Sequence, residues 1–348
     1  MLAMSGGVDS SVAGALLLEQ GHEVVGVTMR LWGGESDSGC CSVSDVDDAR
    51  RVAQQLGIDH HVFNFGTEFA ERVVNPYVQA HATGITPNPC IECNRHLKFH
   101  HLLVRADVLG FEAVATGHHA RIVQRGESWA VARGADRAKD QSYVVHMLDQ
   151  SAMSRTLFPV GDLTKSDVRG IAQRLGLRTA SKPDSQDVCF ITADGGRRTF
   201  LGDRIPLRPG VVRTTTGEVV GSVDAVELVT VGQRRGLTLS GAPSRRFVLE
   251  VDVERGDVVV GSADDLLRRT ERLDDITWAT GPVEGEVLVQ CSAHGPANPA
   301  VLRCDGTGEG VTLEWATPQR RIAPGQSAVV YSLDDNHVLG GGRVAASA

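Results

Sequence analysis

No run of apolar residues in this 348-residue chain approaches the ~18 that a membrane-spanning helix needs. No basic stretch followed by an apolar one opens it, so a secretory leader is not expected either. These absences lead to the expectation of a cytoplasmic protein with no membrane partner. Cysteine is scarce: the chain has seven, an odd number unevenly spread, which excludes the dense disulfide framework of small secreted domains. Positive charge is short as well. The 35 lysines and arginines stand against 43 acids, a net charge of −8, which argues against a general nucleic-acid binder and leaves room only for local basic surface. Paired arginines at Arg197–Arg198, Arg234–Arg235, Arg245–Arg246, Arg268–Arg269 and Arg320–Arg321 concentrate in the second half, where solvated faces and ion pairs explain most such pairs. There is no internal repeat, no low-complexity linker and no GxxxxGK[ST] string, so this is not a loop built round a Walker lysine.

The remaining composition, 41% hydrophobic and 22% charged, is that of an ordinary globular chain long enough for two or three domains. In the first half, strand and helix signals alternate. Helices are predicted over 10–20, 45–56, 69–81 and 94–109, and strands over 23–29, 61–65 and 112–117. Ser44/Asp47 and Thr164/Asp167 read as capping boxes, the second opening a helix that runs to 175. That alternation predicts an α/β fold with a doubly wound parallel sheet. After about residue 200 the texture changes to short β runs and glycine turns. "GVVRTTTGEVVGSV" and "FVLEVDVERGDVVVGS" read as hairpins, and the runs after 284 as a small β-barrel or sandwich. The expected division is a catalytic domain over 1–158, a central domain over 159–262 and a β-barrel over 263–348.

Two short stretches carry chemistry. "AMSGGVDSS" lies between a short apolar start and the first helix, the setting in which backbone N–H groups and a helix N-terminus capture an anion. Its glycines would let the backbone approach a phosphate, and a β-branched side chain at Gly7 is expected to fill the space the phosphate needs and to disfavour any positive φ there. "TPNPCIECN" places Cys90 and Cys93 in a CxxC pair, a spacing shared by metal clips, disulfides and catalytic thiols.

SGGVDS resembles the pyrophosphate loop of ATP-dependent adenylating enzymes. Followed in order by "TPNPCIECNRHLKF", "ATGHHAR", "KDQSY", "LFPVGDLTKSDVR", "KPDSQDVCFI", "VGQRRGL" and "PGQSAVVY", it is similar, over nearly the whole chain, to the bacterial tRNA-specific 2-thiouridylases. The resemblance implies a pyrophosphate-loop ATPase domain (adenine nucleotide α-hydrolase-like), a small middle domain and a C-terminal β-barrel that binds tRNA. Only Met1 to Met4 precede the loop, less strand than the family carries, so weak support for the loop is expected.

By resemblance, ATP with Mg²⁺ is bound by Ala3, Met4, Ser5, Gly6, Gly7, Val8, Asp9, Ser10, Met29 and Gly117. AMP transfer makes O2 of the wobble uridine a leaving group, and sulfur replaces it. Cys189 in "SQDVCFI" matches the persulfide cysteine and Cys93 the nucleophile, with a Cys93–Cys189 disulfide at the end of the cycle. Recognition of tRNA, with Lys, Glu and Gln acceptors implied, falls to Asn88, Pro89, Cys90, His118, Lys139, Asp140, Gln141, His294, Gly295 and Gln326. "AHGPANP" lacks the basic–aromatic pair that the family often has at that turn. The sulfur donor implied is a cysteine desulfurase or a relay carrier. Cys90 stands where the family commonly has Asp, so Cys90, Cys93 and Cys189 together offer three thiolates for a [4Fe–4S] cluster as an alternative to persulfide chemistry. Cys40 and Cys41 are read as structural, and Cys291 and Cys304 as core residues of the β domain. Two competing readings stay open: a small-molecule adenylating ligase or amidotransferase with the same loop, and a nucleotide-binding regulator with a metal clip at Cys90 and Cys93.

Overall fold

The computed structural model describes residues 1–31, 43–184, 188–191, 196–239, 245–304 and 310–346. Five strands form the first sheet: Leu2–Ala3 (β1), Gly26–Arg30 (β2), His60–Asn64 (β3), Val114–Ala115 (β4) and Thr156–Leu157 (β5). Their spatial order is β3-β2-β1-β4-β5, and every pair is parallel. Parallel sheets are covered on both faces, and the apolar residues of β1, β2 and β4 are accordingly buried. Although β1 has two residues, it is paired on both sides: Leu2 and Met4 donate to Val25 and Val27, and Ala115 donates to Met1. The order turns at β1 and β4, and the crevice beyond the carboxyl ends of two such strands is where open α/β sheets bind ligands.

Helix α1 (Val8–Glu19) follows β1 and is apolar nearly all round, because it is enclosed by the sheet, helix α2 (Val43–Leu56) and helix Lys165–Arg174. The Thr164/Asp167 capping box is present. The Ser44/Asp47 box is not: α2 already includes Val43 and Ser44, so Ser44 does not stand before the helix. A helix expected over 69–81 spans 66–82 and carries a π-helical turn at Ala70–Val74. The helix expected from 94 begins at Pro89, runs through a π-helical stretch at Cys93–His101, and ends at Leu109 before Gly110 with φ 76°. Its start is explained locally: Asn88 accepts the Cys90 N–H at 3.1 Å, and Pro89 takes the first helical position, where no N–H is needed. Strand β5 and the hairpin Ala120–Arg125/Ser128–Arg133 are additions to the expected elements.

Both hairpins read in the middle region form, and they join through a parallel pair, Gly210–Thr214 beside Asp257–Gly261, into a five-stranded sheet. The C-terminal strands close into a six-stranded barrel around Val287, Val289, Leu313 and Val330. Cys291 and Cys304 pack against that core, as expected. Cys40 and Cys41 lie outside the described residues.

Candidate active site

The loop Met4–Gly7 leaves β1 and delivers the chain to α1, whose N-cap is Gly7. Gly6, and not Gly7, is the left-handed residue, with φ +71°, and a β-carbon there would lie 2.3 Å from the Asp45 carbonyl oxygen. Gly7 has φ −93° and ψ 165°, a conformation open to any residue. The Ser5 and Ser10 hydroxyls stand 3.4 Å apart, and those of Ser10 and Ser11 donate to the Gly7 carbonyl. Gly117, just beyond β4, lies against the start of α1; a β-carbon on it would come within 2.6 Å of the Ser10 nitrogen. Loop, helix start and Gly117 thus meet at the switch point. Met29 is buried in β2, in the apolar cluster that also holds Ala3.

Charge surrounds this corner. The Asp9 carboxylate, in the first turn of α1, accepts from Lys165 at 2.7 Å and from His119 Nε2 at 3.1 Å. Burial pushes this carboxyl up, but the hydrogen bonds from His119 and Lys165 outweigh it and hold it below the ordinary range. Lys165 also reaches Asp184 at 2.9 Å, and Asp184 takes Lys139 at 2.8 Å and Arg169 at 2.9 Å. Lys182 bridges Asp45 and Asp48. Lys165, Lys182, Asp184 and His119 were not among the expected site residues, although all four fall inside the quoted motifs; the signal was in the sequence.

The thiols lie on the other flank. Cys93, buried on the first turns of helix 89–109, belongs to the cluster that includes Ala3, Met29, Phe69, Tyr77 and Phe190. Cys189 is half-buried and packs against the same cluster. Its neighbour Phe190 is wedged among Phe69, Tyr77 and Phe200 at 5.0 to 5.6 Å between ring centroids, which fixes the Cys189 backbone. Cys90 is exposed. Among the described residues no three His, Cys, Asp or Glu side chains are grouped as a metal ion would require.

The residues expected at tRNA divide. Asn88, Pro89 and Cys90 form the start of the cysteine helix, with Asn88 half-buried, Pro89 buried and Cys90 exposed. The preceding loop is braced by the barrel, where Thr86 donates to Pro324 and the Gln326 amide donates to Thr86, and by the middle region through Thr230. Pro87, Pro89, Glu92 and His96 line a cleft of about 510 Å³ that Arg72, Tyr77 and Arg343 also border. Lys139 is exposed, and the Gln141 side chain accepts the His119 N–H at 2.8 Å. Asp140 is turned inward: Arg133 at 2.8 Å, the Ser142 hydroxyl and two backbone N–H groups saturate it. His118 is also inside, packed on Phe99 and Phe158, and burial drives its imidazole well below the ordinary range. His294 is exposed and Gly295 half-buried in a barrel turn.

Three family models match consecutive parts of the chain: a tRNA methyl transferase HUP domain over 1–193, a tRNA methyl transferase PRC-barrel domain over 198–262, and an aminomethyltransferase beta-barrel domain over 268–344. Among curated relatives, proteins named tRNA-specific 2-thiouridylase MnmA from Herpetosiphon aurantiacus (45% identical, covering 99% of this chain and 97% of the relative), Roseiflexus sp. (43%, 99% and 98%) and Chloroflexus aurantiacus (44%, 99% and 98%) are similar end to end. The solved structure of a predicted tRNA methyltransferase subunit from Methanocaldococcus jannaschii is a remote neighbour, with a TM-score of 0.32 at 18% identity, over 50% of this chain and 75% of that one. With a pyrophosphate loop at the switch point, two thiols packed into the cluster that holds Ala3 and Met29, and full-length identity above 40%, the chain belongs to the tRNA-specific 2-thiouridylase family.

Proposed function

We propose that this protein is an ATP-dependent tRNA sulfurtransferase that converts the wobble uridine to 2-thiouridine. The observation that carries this reading is the shared cluster: Cys93 belongs to, and Cys189 packs against, the apolar group that holds Ala3, at the end of the strand leading into the pyrophosphate loop, and Met29 of the neighbouring strand. Neither a small-molecule ligase nor a nucleotide-binding regulator needs two thiols there.

ATP enters as its Mg²⁺ complex. The loop N–H groups and the start of α1 hold the phosphates, with Lys165 as the adjoining cation and the Met29 backbone beside the base. Uridine O2 attacks the α-phosphorus, and the bond to the β-phosphate breaks, releasing pyrophosphate. A persulfide on Cys189, loaded by a sulfur-donor protein, then attacks C2 through its terminal sulfur, and AMP departs with the oxygen. The Cys93 thiolate attacks the Cys189 sulfur, leaving the outer sulfur on C2 and closing a Cys93–Cys189 disulfide. Release of sulfide by Cys93 before attack on C2 gives the same disulfide. A dithiol reductant reopens it in either case. Extrusion of the target base is inexpensive from a single-stranded anticodon loop. The cleft beside Pro89 supports its approach, and tRNAs accepting Lys, Glu and Gln are the proposed substrates. Working domains of 1–158, 159–262 and 263–348, and a cytoplasmic setting, complete the proposal.

Cys93→Ser and Cys189→Ser test it, with tRNA nucleosides analysed by mass. Both should abolish thiolation while pyrophosphate release continues, whereas Cys90→Asp should keep activity. Thiolation surviving Cys93→Ser would remove the thiol mechanism, and loss of activity in Cys90→Asp would restore the cluster alternative.

A further inference from the structure

The nucleotide corner and the 139–141 loop are joined by a closed ring of side-chain and backbone contacts. In one direction, Asp9 binds Lys165 at 2.7 Å, Lys165 binds Asp184 at 2.9 Å, and Asp184 binds Lys139 at 2.8 Å. In the other, Asp9 binds His119 at 3.1 Å, and the His119 backbone N–H donates to Gln141 at 2.8 Å. Lys139 and Gln141 are two residues apart, and the residue between them, Asp140, is locked inward by Arg133 and Ser142. The ring therefore ties the first turn of α1 to one short loop by two routes.

The shared cation of the ring is Lys165. Its ammonium is largely shielded, with 12% of the side chain exposed, and is shared by two carboxylates. A polyphosphate at the start of α1 competes with both for that ammonium, because charge-assisted hydrogen bonds to phosphate match those to carboxylate. Movement of Lys165 toward phosphate weakens its hold on Asp184. Asp184 is then left to Lys139 and Arg169, and the Lys139 side chain is drawn in or let out accordingly. Lys139 is half-exposed, so its position alters what the loop offers an anionic partner.

We propose that Asp184 is a positioning residue that links occupancy of the ATP site to the grip of the 139–141 loop on tRNA. This rests on the tRNA-modifying reading above and adds to it a reciprocal coupling between two ligands, with Asp184 as the joint. By linkage, ATP must change tRNA affinity by the same factor as tRNA changes ATP affinity.

The test is a binding cycle with the full-length protein: tRNA affinity with and without a non-hydrolysable ATP analogue, and analogue affinity with and without tRNA. In the wild type, each ligand should shift the other by about tenfold, within the usual range for coupled sites. In Asp184→Asn the factor should fall to about one, Asp184→Glu should restore part of it, and Lys139→Met should abolish it by cutting the same route on the far side. A factor unchanged in Asp184→Asn and Lys139→Met, or absent in the wild type although both ligands bind, overturns the coupling. If the wild type binds no tRNA at all, it is the functional reading that fails. Should Asp184→Asn fold poorly, Lys139→Met, at a surface lysine, decides the matter alone.

Discussion

Gly6 and Gly7 look equivalent as letters and differ in what they do. Gly6 holds the positive φ and sits against the Asp45 carbonyl, whereas Gly7 is an extended N-cap whose β-carbon would meet, among the described residues, the Ser5 hydroxyl at 3.3 Å. Gly6→Ala should therefore cost about 1–2 kcal/mol in left-handed strain alone, with the steric clash added. Gly7→Ala should leave the melting temperature nearly unchanged and act on the KM for ATP, where backbone must approach phosphate. Thermal unfolding set beside ATP kinetics separates the two, and equal melting losses would refute the distinction. The loop itself was readable because SGGVDS is a contiguous string. The location of its strained residue was not, since φ depends on where α2 passes, and α2 begins far along the chain.

Helix 89–109 shows what local signals can and cannot supply. The helix was expected from Asn94, after the two prolines and two cysteines of "TPNPCIEC". Yet Asn88 followed by Pro89 is an N-cap followed by a first-turn proline, a start signal present in the sequence. The consequence is functional: Cys90 and Cys93 stand on a helix and not in a loop. Asn88→Ala should cost about 1 kcal/mol through loss of the cap, loosening the turn that carries Cys93, while Asn88→Asp should retain the cap. Melting curves and thiolation rates of the two variants check this, and an unperturbed Asn88→Ala would mean that Pro89 alone fixes the start. The π-helical stretch at Cys93–His101 had no sequence signal to read. Hairpin Ala120–Arg133 was missed for a different reason: half of its purpose lies in the barrel, where Arg133 meets Gln290, Asp335 and the Tyr331 ring, and the Arg133 N–H donates to Asn336. Periodicity reports burial along one element and is blind to such partners.

The same blindness covers the assembly of the three regions. Asp9 and Lys165 are 156 residues apart, and no pattern announces their pairing. Two buried histidines sit where regions meet. His81, on helix 66–82, hydrogen-bonds the Glu227 carbonyl of the middle region. His146 hydrogen-bonds the Tyr143 carbonyl and packs against Gly341 of the barrel. Burial lowers both imidazoles from 6.5 to about 4, and Arg197 adds to the effect at His81 and Arg95 at His146. The unfolded chain protonates them below about 6.5, whereas the folded protein keeps them neutral until about 4. Between those values the unfolded state binds more protons, so stability falls as pH drops from 6.5 toward 4, by on the order of 3 kcal/mol for each histidine at the full shift. Asp9 works in a different window. Its folded value is depressed, so its contribution is complete above about 4 and is lost only below that. His118, next to Gly117 and also driven well below the ordinary range by burial, adds to this window, so acid sensitivity below 6.5 is assigned to the buried histidines and not to the Asp9 carboxylate. Denaturant midpoints at pH 7.0, 5.5 and 4.5 should decline in the wild type and decline less in His81→Gln and His146→Gln. If both variants kept the wild-type slope over that interval, protonation at these interfaces would not be the cause.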